Sequence, residues 1–219
     1  NGRSVAQTFQ DGLEAVLGSR PAIKGCSRTD AGVHALGFAL NFHADTHIPP
    51  EKLPLALNQH LPPDIRVLSA EVVPDDFHAR YAAHTKTYLY RIHNSPIDSP
   101  FDARYYTRVP RRLDEQKMQE AAKQFVGTHD FLALCAAGSS AAAHGDTVRT
   151  ITDCTVVRKG DEVEITVTAD GYLYNMVRIL AGTLCEAGAG RLDPETIPAI
   201  LASRDRSKAG PTLPAQGLF

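Results

Sequence analysis

The sequence predicts an α+β fold, with helices and antiparallel strands mixed in both halves of the chain. Three observations carry that reading. Apolar residues recur at helical spacing in several separate segments. Phe38, Leu40 and Phe42 alternate with Ala39 and Asn41, the period of a strand with one buried face. The stretches 148–158 and 163–169 read as strands joined at Lys159-Gly160-Asp161, a glycine-containing turn that fits a hairpin.

Taken in order, Ser4 with Gln7 three residues on makes a capping box. Val5, Phe9, Leu13, Val16 and Leu17 then share one helical face until Gly18 ends the helix. A short strand over 22–26 leads to a turn, and a second strand comes after it over 37–43. The pattern then predicts a helix over 50–60 and a strand over 65–73. In the next strand, 86–93, Tyr88, Tyr90 and Ile92 lie on one side and Thr87, Leu89 and Arg91 on the other. Pro96, Pro100 and Pro110 mark the segment after that strand as a connection. A helix after Arg112 runs to Phe125, with Met118, Ala121, Ala122 and Phe125 at core spacing. The small residues of 137–144 predict a flexible loop. Beyond the hairpin, Asp170-Gly171 leads into a helix over 174–187, with Val177, Leu180, Ala181 and Leu184 inward. A last helix starts at Asp193-Pro194, with Asp as N-cap and Pro at the first helical position.

With 219 residues and 43% apolar content, the chain is long enough to bury a sizeable core as one large domain or two small ones. Cys26, Cys135, Cys154 and Cys185 are scattered without metal-ligand spacing, as expected of reduced, mostly buried thiols in a cytoplasmic protein. No run has the length of a membrane-spanning helix, and the first residues carry no signal segment. The start at Asn1 and the stop at Phe219, inside an apolar stretch, read as clipped ends.

The formal net charge of −2 gives no sign of a polyanion-binding protein, but its distribution does. Between Phe77 and Arg112 lie Arg80, Lys86, Arg91, Arg104, Arg108, Arg111 and Arg112 against only Asp98 and Asp102, with His78, His84 and His93 besides. The same segment holds Phe77, Tyr81, Tyr88, Tyr90, Phe101, Tyr105 and Tyr106, close to half of the aromatic residues. Cations interleaved with flat rings suit RNA, whose phosphates need positive charge and whose unstacked bases need π faces.

The most informative residues are Arg28-Thr29-Asp30-Ala31-Gly32-Val33-His34-Ala35. They put one carboxylate, Asp30, in a tight turn between two short strands. Gly32 allows a backbone conformation closed to residues with a Cβ. Arg28 stands near enough in sequence to balance the carboxylate or grip a polyanion. A carboxylate held in this way can act as a nucleophile, although Asp also caps turns of this kind.

This string resembles the signature of the tRNA pseudouridine synthase A family, with Ser27 standing where that family usually has Gly. Further segments resemble it in the same order along the chain: Pro74-Asp75-Asp76-Phe77-His78-Ala79-Arg80, then 86–92, then Tyr174-Asn175-Met176-Val177-Arg178, then 215–219. The family's opening strand with its aromatic-Gly-Trp segment is missing, and the chain contains no Trp. The resemblance implies a pseudouridine synthase fold of two α/β subdomains sharing a mainly antiparallel sheet, with a central active-site cleft. On that basis residues 1–78 would form an N-terminal subdomain carrying Asp30, and 79–219 a C-terminal one that includes the basic, aromatic connection 79–112.

The resemblance also implies roles. Asp30 would be the nucleophile and Arg178 its guanidinium partner. Tyr88 would pack against the target base, and Arg28 would help hold that base out of the stack. Arg80, Lys86 and Arg91 would meet RNA phosphates. The substrate would be a uridine in the anticodon stem-loop of tRNA, bound across a homodimer. Because the isomerisation adds and removes nothing, it calls for no nucleotide cofactor and no metal, and no dinucleotide fingerprint or P-loop is present. Two other readings stay open: a catalytically inactive RNA-binding module, and an Asp-dependent N-glycosidic hydrolase. Two-carboxylate hydrolysis needs a second acid at a set separation, and no Asp or Glu commends itself for that role.

Overall fold

Helices and strands are mixed throughout the computed structural model, which describes residues 2–219. Contacts divide the chain into two units. The smaller comprises the segment ending at Arg28 together with Gly37–Ala83, and the larger comprises Thr29–Leu36 with His84–Phe219.

The smaller unit is built on helix α1, Val5–Leu17, whose N-terminal amides are capped as the sequence predicts. Ser4 Oγ accepts from the Gln7 amide at 3.1 Å, and Gly18 closes the helix with φ 69°. Helix α2, Leu53–His60, continues a 3-10 turn over Pro50–Lys52 and lays Leu57 against Phe9, Leu13 and Leu61 of a small core. Strand β1, Lys24–Gly25, pairs antiparallel with β2, Leu40–Asn41. Both are shorter than the predicted 22–26 and 37–43. The helical turn α3, Ala79–Ala82, is tied to β2 by Asn41, which is buried. Its Nδ2 donates to the Phe77 carbonyl at 3.1 Å, and its Oδ1 accepts from the Ala79 amide at 2.9 Å.

The predicted strand over 65–73 does not form. The backbone groups of Val67 are taken by a side chain: Asn58 Oδ1 accepts from the Val67 amide at 2.8 Å, and Asn58 Nδ2 donates to the Val67 carbonyl at 2.9 Å. With its one amide hydrogen already given to Asn58, Val67 has no donor left for a ladder at that point.

The larger unit is a five-stranded sheet in the order β4-β3-β7-β6-β5, formed by Thr107–Arg108, Lys86–His93, Glu162–Ala169, Val148–Lys159 and Gly127–Asp130. Only the β3–β4 pair is parallel. The described strands thus form two sheets rather than one. On β7, Val163, Ile165, Val167 and Ala169 alternate inward and are fully buried, facing the same core as Tyr90 and Ile92 of β3. Helix α4, Glu115–Lys123, is N-capped by Asp114 and supplies Met118, Ala121 and Ala122, with Phe125 just beyond it. In place of a structureless loop, 137–144 contains the helical turn α5, Ser140–Ala143, because Ser139 Oγ accepts from the Ala142 amide.

Helix α6, Met176–Gly188, starts two residues later than predicted because Asn175 stands in the left-handed region at φ 59°. It is buried on nearly all sides, which the segment 209–213 makes possible by crossing it closely. A Cβ on Gly182 would stand 1.9 Å from the Pro211 carbonyl oxygen, and one on Gly210 would stand 2.5 Å from the backbone of Gly182. Only glycine permits backbones to approach so closely. Asp193 caps a 3-10 turn over Pro194–Thr196 that leads into α7, Ile197–Ser203. All four cysteines are free, and burial pushes the Cys154 and Cys185 thiols up to about 12.

Candidate active site

Asp30 is placed by a chain of backbone contacts that starts in the sheet. The last residue, Phe219, exchanges hydrogen bonds with Leu89 of β3 at 2.9 and 2.8 Å, and Leu218 bridges to Tyr90. The Asp30 turn is fastened to that terminal segment. The His34 amide donates to the Leu218 carbonyl at 2.9 Å, and the His34 ring stacks on Phe219 with centroids 4.7 Å apart. His34 Nε2 also lies 3.0 Å from the Arg104 carbonyl, and Val33 packs on the main core. The turn itself closes through the Val33 amide to the Asp30 carbonyl at 3.2 Å, with Gly32 at φ 83° against Ala215. A residue with a Cβ would strain this backbone by about 1–2 kcal/mol.

Arg178 enters from the first turn of α6 with its side chain only 18% exposed. Its guanidinium is held at two points. Nε donates to the Leu213 carbonyl at 2.6 Å, and Nη1 donates to Asn175 Oδ1 at 2.8 Å. Nη1 also stands 3.9 Å from Asp30 Oδ2, and the Asp30 side chain is 35% exposed. That separation is an ion-pair contact but too long for a hydrogen bond. The arrangement gives Asp30 a fixed positive neighbour without engaging its oxygens in a bidentate clamp, so a lone pair remains available for attack.

Tyr88 is half-buried on β3, on the same side as Tyr90 and Ile92, with its ring edge-on to Tyr172 at 4.8 Å. Tyr172 is itself fixed, its hydroxyl lying 2.8 Å from the carbonyls of both Lys86 and Val167, and burial pushes its pKa upward. Beneath the terminal segment, Tyr90 is fully buried. Its hydroxyl donates to the Pro214 carbonyl at 2.7 Å and meets Thr107 Oγ1 at 2.5 Å, and burial raises its pKa.

Of the residues singled out from sequence, Asp30 and Arg178 are brought into contact, and Tyr88 lies in the same unit. Arg28 and Arg80 belong to the smaller unit and are exposed. Lys86 opens β3. Arg91 is engaged by its own neighbours, with Nε 3.4 Å from Glu164 and its guanidinium over the rings of Tyr106 at 5.1 Å and Phe219 at 5.3 Å. Sequence reasoning missed Asn175 and the Leu213 carbonyl, which hold the guanidinium. Asn175 stands three residues before Arg178 within the Tyr174–Arg178 segment, and that proximity is the signal that could have linked them. Among the described residues, no three His, Cys, Asp or Glu side chains converge as metal ligands would. No helix is long and apolar enough to cross a membrane.

A turn-borne carboxylate beside a half-buried, doubly anchored arginine is an arrangement that can carry out nucleophilic chemistry. Comparison with known proteins narrows the class. A family model described as tRNA pseudouridine synthase matches residues 2–82 and 121–219, which include Asp30 and Arg178 but not Tyr88. The tRNA pseudouridine synthase A 2 of Clostridium tetani is 45% identical over 219 residues, covering 100% of this chain and 87% of that protein. The tRNA pseudouridine synthase A of Caldicellulosiruptor saccharolyticus is 42% identical, covering 100% of this chain and 88% of its own length. That of Halalkalibacterium halodurans is 45% identical over 97% of this chain and 82% of its own. The chain belongs to the tRNA pseudouridine synthase family, whose members are isomerases.

Proposed function

We propose that this protein isomerises uridine to pseudouridine in the anticodon stem-loop of tRNA, with Asp30 as nucleophile and Arg178 as its guanidinium partner. The observation that carries the reading is the 3.9 Å contact between a partly exposed carboxylate and an arginine anchored from two sides. Asp30 attacks the nucleotide and forms a bond to it that lasts while the bond from ribose C1′ to N1 breaks and the base turns over. C5 then bonds to C1′, the bond to Asp30 breaks and returns its carboxylate, C5 gives up its proton and N1 gains one. Atoms balance, so no outside reactant is required. The detached base must be kept from water. Tyr88, propped by Tyr172, offers a flat wall for an everted nucleotide and a hydroxyl able to exchange a proton.

Arg28 steadies the extruded base in this reading, and Arg80, Lys86 and Arg91 meet the phosphates, with Arg91 sharing its charge with Glu164. The protein works in the cytoplasm as a homodimer. Pairing two basic segments gives a chain of net charge −2 enough local positive field for tRNA. The test is incubation of the protein with unmodified tRNA and mapping of new pseudouridines, with Asp30→Asn alongside. Turnover is expected to vanish in the variant while tRNA binding survives. Abasic RNA or free uracil in place of pseudouridine would establish a hydrolase, tRNA binding with no product from the parent protein would leave an RNA-binding module, and wild-type activity in Asp30→Asn would remove Asp30 as the nucleophile.

A further inference from the structure

Asparagine before a helix ordinarily caps it, turning its side-chain oxygen onto the free amides of the first turn. Asn175 does not. It makes no side-chain cap, and its backbone stands at φ 59°, ψ 10°, one of only two left-handed non-glycine residues among those described. That conformation disfavours any residue with a Cβ, though Asn tolerates it better than most. The side chain turned away from the helix amides is spent on Arg178 instead, with Oδ1 accepting from Nη1 at 2.8 Å. A guanidinium carries only donors, so the atom facing it must be the amide oxygen.

From this we infer that Asn175 is a positioning residue for the reaction, acting on Asp30 through Arg178. The inference rests on the roles proposed above for that pair. Arginine has a long and flexible stem. A single hydrogen bond from Nε to the Leu213 carbonyl would leave the guanidinium free to pivot about that bond. The second bond, from Nη1 to Asn175, sets the plane. Nη1 is also the atom closest to the Asp30 carboxylate, at 3.9 Å. Asn175 therefore fixes the charge that faces the nucleophile without touching the nucleotide. Being neutral, it does so without competing for that charge, as a carboxylate at the same place would.

Two variants separate the side chain from the backbone. Asn175→Gly keeps the left-handed turn freely and removes the amide, whereas Asn175→Ala removes the amide and strains the turn. With saturating unmodified tRNA, Asn175→Gly is expected to lower kcat about tenfold, the scale of one lost hydrogen bond to a charged group. KM for tRNA should hold, and the melting temperature should fall by no more than about 2–4 °C, the scale of one lost hydrogen bond in a chain of this length, since glycine itself costs little at a helix start. Asn175→Ala should show the same kcat loss together with a lower melting temperature. Wild-type kcat in the glycine variant would overturn the inference, because the amide would then be idle. So would a rise in KM at constant kcat, which would make Asn175 an RNA contact. Asp30→Asn is run in parallel: if it still turns over, the roles of the pair fail, whereas an inactive Asp30→Asn beside a fully active Asn175→Gly removes only the positioning role.

Discussion

Gly182→Ala tests whether the packing of α6 controls the site. The new methyl would sit 1.9 Å from the Pro211 carbonyl oxygen and 3.0 Å from its carbonyl carbon, both backbone atoms that cannot rotate away. To reach ordinary contact the segment 209–213 must withdraw from the helix by more than an ångström. It is attached to that helix at three points: the Gly210 amide on Thr183 Oγ1 at 2.9 Å, the Leu213 amide on the Arg178 carbonyl at 3.2 Å, and Arg178 Nε on the Leu213 carbonyl. Overpacking costs about 1–3 kcal/mol, and the first and last of these bonds are each worth about 1 kcal/mol. Alanine's better helix propensity returns about 1 kcal/mol. A net loss of about 2–4 kcal/mol should lower the melting temperature by about 5–15 °C for a chain of this length. Because the same withdrawal releases Arg178, turnover of tRNA measured well below the lowered midpoint should fall as well. Melting followed by circular dichroism and pseudouridine formation at 20 °C check the two halves. Wild-type melting would refute the packing argument. Reduced stability with full turnover would show that the segment does not position Arg178.

Tyr90→Phe removes a fully buried hydroxyl from between Thr107 and the Pro214 carbonyl. Stranding those partners should cost about 1–3 kcal/mol in denaturant unfolding, and an unchanged midpoint would mean that the pair finds other partners. The acid side of the stability curve should report Glu164 and Glu115, whose carboxyls are held below their ordinary range by hydrogen bonds from Lys159 and Arg158 respectively. Groups with lowered folded values stabilise the protein above their unfolded pKa of about 4.3 and lose that contribution as pH falls through the folded value. Glu164→Gln should therefore lose less stability between neutral pH and about pH 3 than the parent does, as read from urea midpoints. An equal acid loss in both proteins would remove Glu164 from the account.

How legible these elements were depended on whether their pairing groups lay in the local pattern. Strand β3 and the β6–β7 hairpin were readable because inward residues such as Tyr90, Ile92, Ile165 and Val167 alternate strictly and end at turn residues. The segment 65–73 has strand composition, yet Asn58, on a different element, takes the backbone groups of Val67. Strand β5 has the opposite character. Its residues Gly127-Thr128-His129-Asp130 show no alternation, and it is a strand because β6 lies beside it, pairing Gly127 with Ile151 and Asp130 with Val148. Edge strands of this kind are made by their neighbours rather than by their own propensity.

In the candidate site, side chains were legible and backbone was not. Asp30 and Arg178 stand out because their types and motifs are unusual. What holds Arg178 is in part the Leu213 carbonyl, and every amino acid at that position would present the same oxygen. The register that delivers that oxygen is set by Gly182 and Gly210, which read from the letters as an ordinary helix glycine and an ordinary loop glycine. Likewise the Asp30 turn is pinned by the Leu218 carbonyl, which in turn depends on the pairing of Phe219 with Leu89. Asn175 was also hidden, since neither its left-handed backbone nor its hydrogen bond to Arg178 is written in the residue type. Backbone acceptors held in place by glycine packing thus give the site its rigidity. Substitutions at Gly182 and Asn175, neither of which faces the nucleotide in this reading, should therefore affect turnover through the same guanidinium.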